Sequence, residues 1–85
     1  MGLINKVVPV AELDAVAEDW GLRLATGPTL ALSLSKRLLD ASSSMSFEQA
    51  LEEEARCQHV TYTSQDVREG IGAYLERREP RFRGC

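Results

Sequence analysis

Apolar residues recur at three- and four-residue steps through four successive segments of this 85-residue chain, and only one stretch reads as extended. That stretch, residues 1–9, carries Ile4, Val7 and Val8 and is closed by Pro9, the pattern of a short strand or extended lead-in. A lone strand leaves its backbone donors and acceptors unpaired. No later segment offers it a partner, so either another chain supplies one or the segment is a loose arm. The expected fold is mainly α: four amphipathic helices, arranged as two helical hairpins, after a short extended N-terminal arm.

The first helix is predicted over 11–25, with Leu13, Val16, Ala17, Trp20 and Leu24 on one stripe. Glu12 and Asp14 fall in its first turn, where the helix dipole favours negative charge. Gly27 ends it and Pro28 opens the second helix, 28–41, whose stripe is Leu30, Ala31, Leu34 and Leu38, widened by Leu32 and Leu39. The link is short enough to predict an antiparallel pair. Ser46 and Gln49 form a capping-box pattern that starts the third helix, 46–60. Its apolar face begins with Phe47, Ala50 and Leu51, then turns polar at Glu54 and Gln58. Either that face emerges into solvent or the two polar groups meet buried partners on another segment. Thr63 or Ser64 caps the fourth helix, 64–78, with Val67, Ile71, Tyr74 and Leu75 as its stripe and Pro80 ending it. If Thr63 is the cap, Asp66 completes a weaker capping box. Gly70 and Gly72 inside this helix suggest close approach by another element.

A chain of this size is one small domain. Its net charge of −3 and pI of about 5.1 run opposite to a general nucleic-acid binder. No apolar run approaches a membrane span and no signal peptide is visible, so the expected compartment is the cytoplasm, with no membrane partner. Cys57 and Cys85 match no metal or redox spacing and read as free thiols. His59 is the only histidine and has no obvious partner to tune it as a base. Consecutive helical residues point in different directions, so Glu52, Glu53 and Glu54 read as a solvated face rather than an acid–base pair. No metal, cofactor or catalytic set is expected within these residues. The strongest chemical feature is the cluster Arg77, Arg78, Arg81 and Arg83, with Tyr74 one turn before it. Arginine forks match phosphate oxygens and an aromatic ring stacks on a base, which suits a nucleotide. The plainer reading is a solvated helix end that complements the dipole.

The chain resembles the carboxyl-terminal part of the crotonase (enoyl-CoA hydratase/isomerase) family. Gly2-Leu-Ile-Asn-Lys-Val-Val-Pro9, Gly27-Pro28, Ser35-Lys36-Arg37, the Glu54/Gln58 pair, and Ser64, Asp66, Glu69, Gly70, Ala73, Glu76, Arg78, Pro80 and Phe82 carry the likeness in order. Ser35 stands where the family commonly has Thr, and Arg77 where it commonly has Lys. The resemblance implies a parent enzyme acting on acyl-CoA thioesters, whose oxyanion hole and catalytic carboxylates lie on a core outside these residues. It implies that this segment is not catalytic alone, serves self-association as a trimer or hexamer, and closes the acyl pocket. It further implies that Tyr62 lines the acyl pocket, Tyr74 lies near the adenine, and Arg77 meets a coenzyme A phosphate, so acyl-CoA would bind these residues alone weakly if at all. The alternative is a stand-alone self-association module with no coenzyme A role.

Overall fold

The computed structural model describes residues 2–85. Residues 2–9 form an extended arm, and among the described residues there is no strand. A short 3-10 turn, Val10–Glu12, leads into α1, Leu13–Ala25, followed by α2, Thr29–Ser42, α3, Phe47–Tyr62, and α4, Gln65–Glu76. The four-helix, mainly α expectation therefore holds. The arm does not extend a sheet; Leu3, Ile4 and Val8 lie over Leu13, Val16 and Trp20 of α1, bounding a shallow trough.

Local sequence explains most boundaries. The Glu12 N–H donates to the Pro9 carbonyl at 2.9 Å, which starts the 3-10 turn ahead of α1. At α3 the capping box is complete. The Gln49 N–H donates to the Ser46 hydroxyl at 3.2 Å and the Ser46 N–H donates to the Gln49 side-chain oxygen at 3.0 Å, satisfying donors that have no partner within the helix. Helix α3 runs on to Tyr62, two residues past its expected end, so Tyr62 is helical rather than part of a link. Ser64, not Thr63, caps α4: it accepts from the Val67 N–H at 3.1 Å, while Thr63 turns back to the carbonyls of His59 and Val60. With that cap Asp66 is the second helical residue, and it takes no part in a capping box.

The most extensive helix pair is α2 with α3; α1 touches α2 only sparsely. Leu30, Ala31, Leu34 and Leu38 are half-buried as the α2 stripe predicts, while Leu32 and Leu39 stay exposed. On α3 the inward face is rotated from expectation. Ala50, Glu53, Cys57 and Thr61 are half-buried, and Phe47 and Leu51 face outward. Glu54 and Gln58 are exposed on the rim of a groove of about 210 Å³ beside Ser35 and Leu38, and make no side-chain hydrogen bond among the described residues. Glu52 and Glu53 instead pair with Arg56 on the surface, at 3.0 and 3.2 Å.

Among the described residues Ala73 is the single buried apolar side chain. The radius of gyration is 16.0 Å, against about 12 Å for a compact chain of this length. The accessible surface is 7407 Å², against roughly 5,000 Å² for a folded monomer of this mass. The helices thus form an open arch, 43 × 39 × 18 Å, with their apolar stripes largely bare. No helix among the described residues is long and apolar enough to cross a membrane.

Candidate functional site: the C-terminal tail clasped on the last helix

The site begins where α4 stops. Arg77 adopts the left-handed conformation, φ 54°, and is the only described non-glycine residue with positive φ. The Arg78 N–H donates to the Ala73 carbonyl at 3.0 Å and the Arg77 N–H to the Tyr74 carbonyl at 3.3 Å, the paired bonds of a Schellman turn. Helix α4 therefore ends at Glu76 rather than at residue 78. Arg77 and Arg78 lie beyond the last helical turn, not within it. A side chain in this conformation costs about 1 kcal/mol or more relative to glycine. The turn sends residues 78–85 back along α4.

Two carboxylates on α4 hold that tail. Asp66 is 5% exposed. Its Oδ1 accepts from the Arg83 N–H at 2.7 Å and its Oδ2 from the Gly84 N–H at 2.8 Å, while its own N–H donates to the Cys85 carbonyl at 3.0 Å. One turn further on, Glu69 receives both forks of Arg78, at 2.6 and 3.0 Å, and the Arg81 N–H at 2.8 Å. Arg78 also reaches Glu76. The tail's last turn needs glycine: Gly84 has φ +78°, and a Cβ there would lie 2.3 Å from the Thr29 hydroxyl at the start of α2.

Between these anchors the Phe82 ring lies over Gly70. A Cβ on Gly70 would meet that ring at 3.5 Å, an ordinary contact, and one on Gly72 would find nothing closer than the Arg78 guanidinium at 4.0 Å. Phe82 is thus the approaching element, yet neither glycine is required by space. Gly72→Ala is expected to stabilise α4 by about 0.5–1 kcal/mol through helix propensity and a less flexible unfolded chain. A raised midpoint in urea denaturation would show it; a lowered one would mean that the Arg78 side chain cannot give way.

The clasp has an electrostatic signature. The Arg78 guanidinium, and next the Arg81 N–H, hold the Glu69 carboxyl down from the ordinary 4.5 to about 2, although partial desolvation works in the opposite sense. Glu69 in turn, with Glu76, raises Arg78 further above its already high range. A depressed carboxylate adds stability above its unfolded value and loses it as pH falls through the folded one. The Glu69 contribution is therefore full above about 4.5, declines below that, and is gone once pH passes about 2. In an NMR titration the Glu69 carboxyl and the Arg81 amide should shift together near pH 2. Titration of Glu69 near 4.5 with no accompanying shift of the Arg81 amide would mean that the clasp is not formed in solution.

The residues singled out from sequence are placed apart from this clasp. Tyr62, the last residue of α3, is 64% exposed, and Tyr74 on α4 is 82% exposed. Arg77 projects from the turn itself. None of the three lines the clefts described for this chain. His59 is exposed, and both cysteines are free, Cys57 half-buried and Cys85 exposed. Sequence reasoning missed the roles of Asp66 and Glu69 as tail anchors. Their spacing of three residues placed them on one helix face, but their partners are an arginine fork nine residues away and backbone groups 12 to 18 residues away.

Comparison with known proteins accounts for this architecture. The family model for enoyl-CoA hydratase/isomerase matches residues 1–85. The chain is 34% identical over 83 residues to the 1,2-epoxyphenylacetyl-CoA isomerase of Escherichia coli, covering 98% of this chain and 32% of that protein. It is 33% identical over 79 residues to a Dictyostelium discoideum protein named "Probable enoyl-CoA hydratase, mitochondrial", covering 93% of this chain and 28% of the relative. An enoyl-CoA hydratase structure from Geobacillus kaustophilus superposes with a TM-score of 0.90 at 32% identity, over 99% of this chain and 32% of that one. The chain thus spans about a third of the length of the relatives it matches. A match along the whole chain, together with a fold that superposes helix for helix, places this chain in the enoyl-CoA hydratase/isomerase family.

Proposed function

We propose that these 85 residues are the oligomerisation and acyl-CoA-pocket-covering part of an enoyl-CoA hydratase/isomerase-family protein, with the oxyanion hole and catalytic carboxylates lying outside them. The observation that carries this reading is the bare apolar surface. A chain that superposes on a third of a family member buries, among its described residues, one apolar side chain, Ala73, while Phe47, Leu51, Ile71, Tyr74 and Leu75 stand exposed. Surfaces of that kind are built to be covered. The substrate of the parent is a coenzyme A thioester, as the names of the relatives suggest. Tyr62 faces the acyl chain, Tyr74 the adenine and Arg77 a phosphate. Their exposure leaves all three free to meet a ligand held mainly by another part of the protein or by a neighbouring subunit. The proposed compartment is the cytoplasm.

The two carboxylates best placed in this chain, Asp66 and Glu69, are both occupied by the tail. A general acid or base has to reach the proton it moves, and neither can while the clasp is closed. Incubated with crotonyl-CoA, the 85-residue chain is expected to give no hydration above the buffer rate. Turnover by this chain, abolished by an Asp66 or Glu69 substitution, would overturn the non-catalytic reading.

The bare stripes also suit a second reading, a self-association module with no coenzyme A role. The two readings part on ligand dependence. Saturating acyl-CoA should change the environments of Tyr62 and Tyr74 under the first and leave them unchanged under the second.

A further inference from the structure

The tail presents its side chains to alternate sides. Phe82 is half-buried against Gly70, in a small apolar cavity of about 270 Å³ shared with Pro28, Ala31 and Val67. Arg81 and Arg83 lie on the other side, as period-two alternation of an extended segment requires. There they line a separate cleft of about 810 Å³ together with Arg68 of α4. The volume falls within the range of small-molecule sites, roughly 300–1,000 Å³.

The charges in this cleft are unequally committed. Asp66 and Glu69 line it, but every carboxylate oxygen of the pair already accepts a hydrogen bond from the tail. Arg78 is held between Glu69 and Glu76. Arg68, Arg81 and Arg83 have no carboxylate within ion-pairing distance among the described residues. The clasp therefore satisfies the oxygens of both anchoring carboxylates and leaves three guanidinium forks lining one opening. Glu79 is the one lining carboxylate that accepts neither a hydrogen bond nor an ion pair among the described residues.

We infer that Arg68, Arg81 and Arg83 form a binding site for a diphosphate group. Three forks exceed what one carboxylate can engage bidentately, and a diphosphate, with charged oxygens spread over two adjacent phosphorus atoms, can meet forks that come from different sides of a cleft this size. The site does not involve Tyr62, Tyr74 or Arg77 and stands independently of the proposed function. The diphosphate can come free in solution or as part of a nucleotide such as coenzyme A.

The test uses the full 85-residue chain and calorimetric titration with pyrophosphate and, separately, with coenzyme A. The arginine side chains can be removed without opening the clasp, because Asp66 and Glu69 hold Arg83 and Arg81 by backbone N–H groups. The double variant Arg81→Ala/Arg83→Ala should bind pyrophosphate at least about 10-fold more weakly, with the Arg83 amide still protected from hydrogen exchange. Glu79→Gln should tighten binding about 2- to 5-fold by removing an opposing charge. Binding should also weaken as salt rises. If coenzyme A binds more tightly than pyrophosphate and both depend on Arg81 and Arg83, the site is assigned to a nucleotide diphosphate. Equal affinities assign it to free diphosphate. Absence of pyrophosphate binding, or an unchanged affinity in the double variant with its tail docked, would overturn the inference.

Discussion

Asp66→Ala should release the C-terminal tail from α4. The carboxylate is almost fully enclosed and accepts two backbone N–H groups, from Arg83 and Gly84. Hydrogen bonds to a charged acceptor contribute about 1.5–3 kcal/mol each. The tail can detach and resolvate its amides, so the observed loss is bounded by the docking energy, and about 2–3 kcal/mol is expected. In native-state hydrogen exchange this appears as a fall of roughly 30- to 150-fold in the protection of the Arg83 and Gly84 amides. Helix α3 should be untouched, because its capping box is local. Asp66→Asn keeps one acceptor and should fall between the two. Unchanged protection in Asp66→Ala would show that Phe82 packing and the Glu69 bonds hold the tail without Asp66.

The second large effect concerns association. The chain exposes about half again the surface of a folded monomer of its mass, and the outward stripe of α4 includes Ile71, Tyr74 and Leu75. At concentrations of tens of micromolar and above, light scattering should report a mass above the 9.4 kDa monomer. Burying a Leu or Ile side chain contributes about 1.5–3 kcal/mol. The double variant Ile71→Glu/Leu75→Glu should therefore weaken association by well over 10-fold. Leu75 lies away from the tail whereas Ile71 also borders the Phe82 cavity, so Leu75→Glu alone is the control: weakened association with Arg83 protection retained separates lost association from lost folding. A stable, fully folded monomer at about 1 mM would end the view that these stripes need a partner.

Much of the helical framework was legible in the residues themselves. The Leu30–Leu34–Leu38 spacing marked the buried side of α2, and Ser46 with Gln49 marked the start of α3, because both signals act over a single turn. Legibility failed where a longer-range partner decided the outcome. Periodicity placed Phe47, Ala50 and Leu51 on the inner face of α3, but packing on α2 kept only Ala50 of these and turned Glu53, Cys57 and Thr61 inward. At the end of α4, Arg77 gave no hint of a left-handed turn, which glycine usually marks.

Helix α4 draws the dividing line most clearly. From sequence alone its existence, a cap at Thr63 or Ser64 and its apolar stripe could be stated, since propensity and periodicity are properties of neighbouring residues. Which side of it is buried could not. The covered side is Asp66, Gly70 and Ala73, polar and small, while Ile71, Tyr74 and Leu75 of the apolar stripe are left open. That inversion was set by tertiary structure: a returning tail closes over α4 with the Phe82 ring, the Arg78 guanidinium and, at Asp66 and Glu69, backbone N–H donors, which every residue type but proline carries and no side-chain pattern encodes.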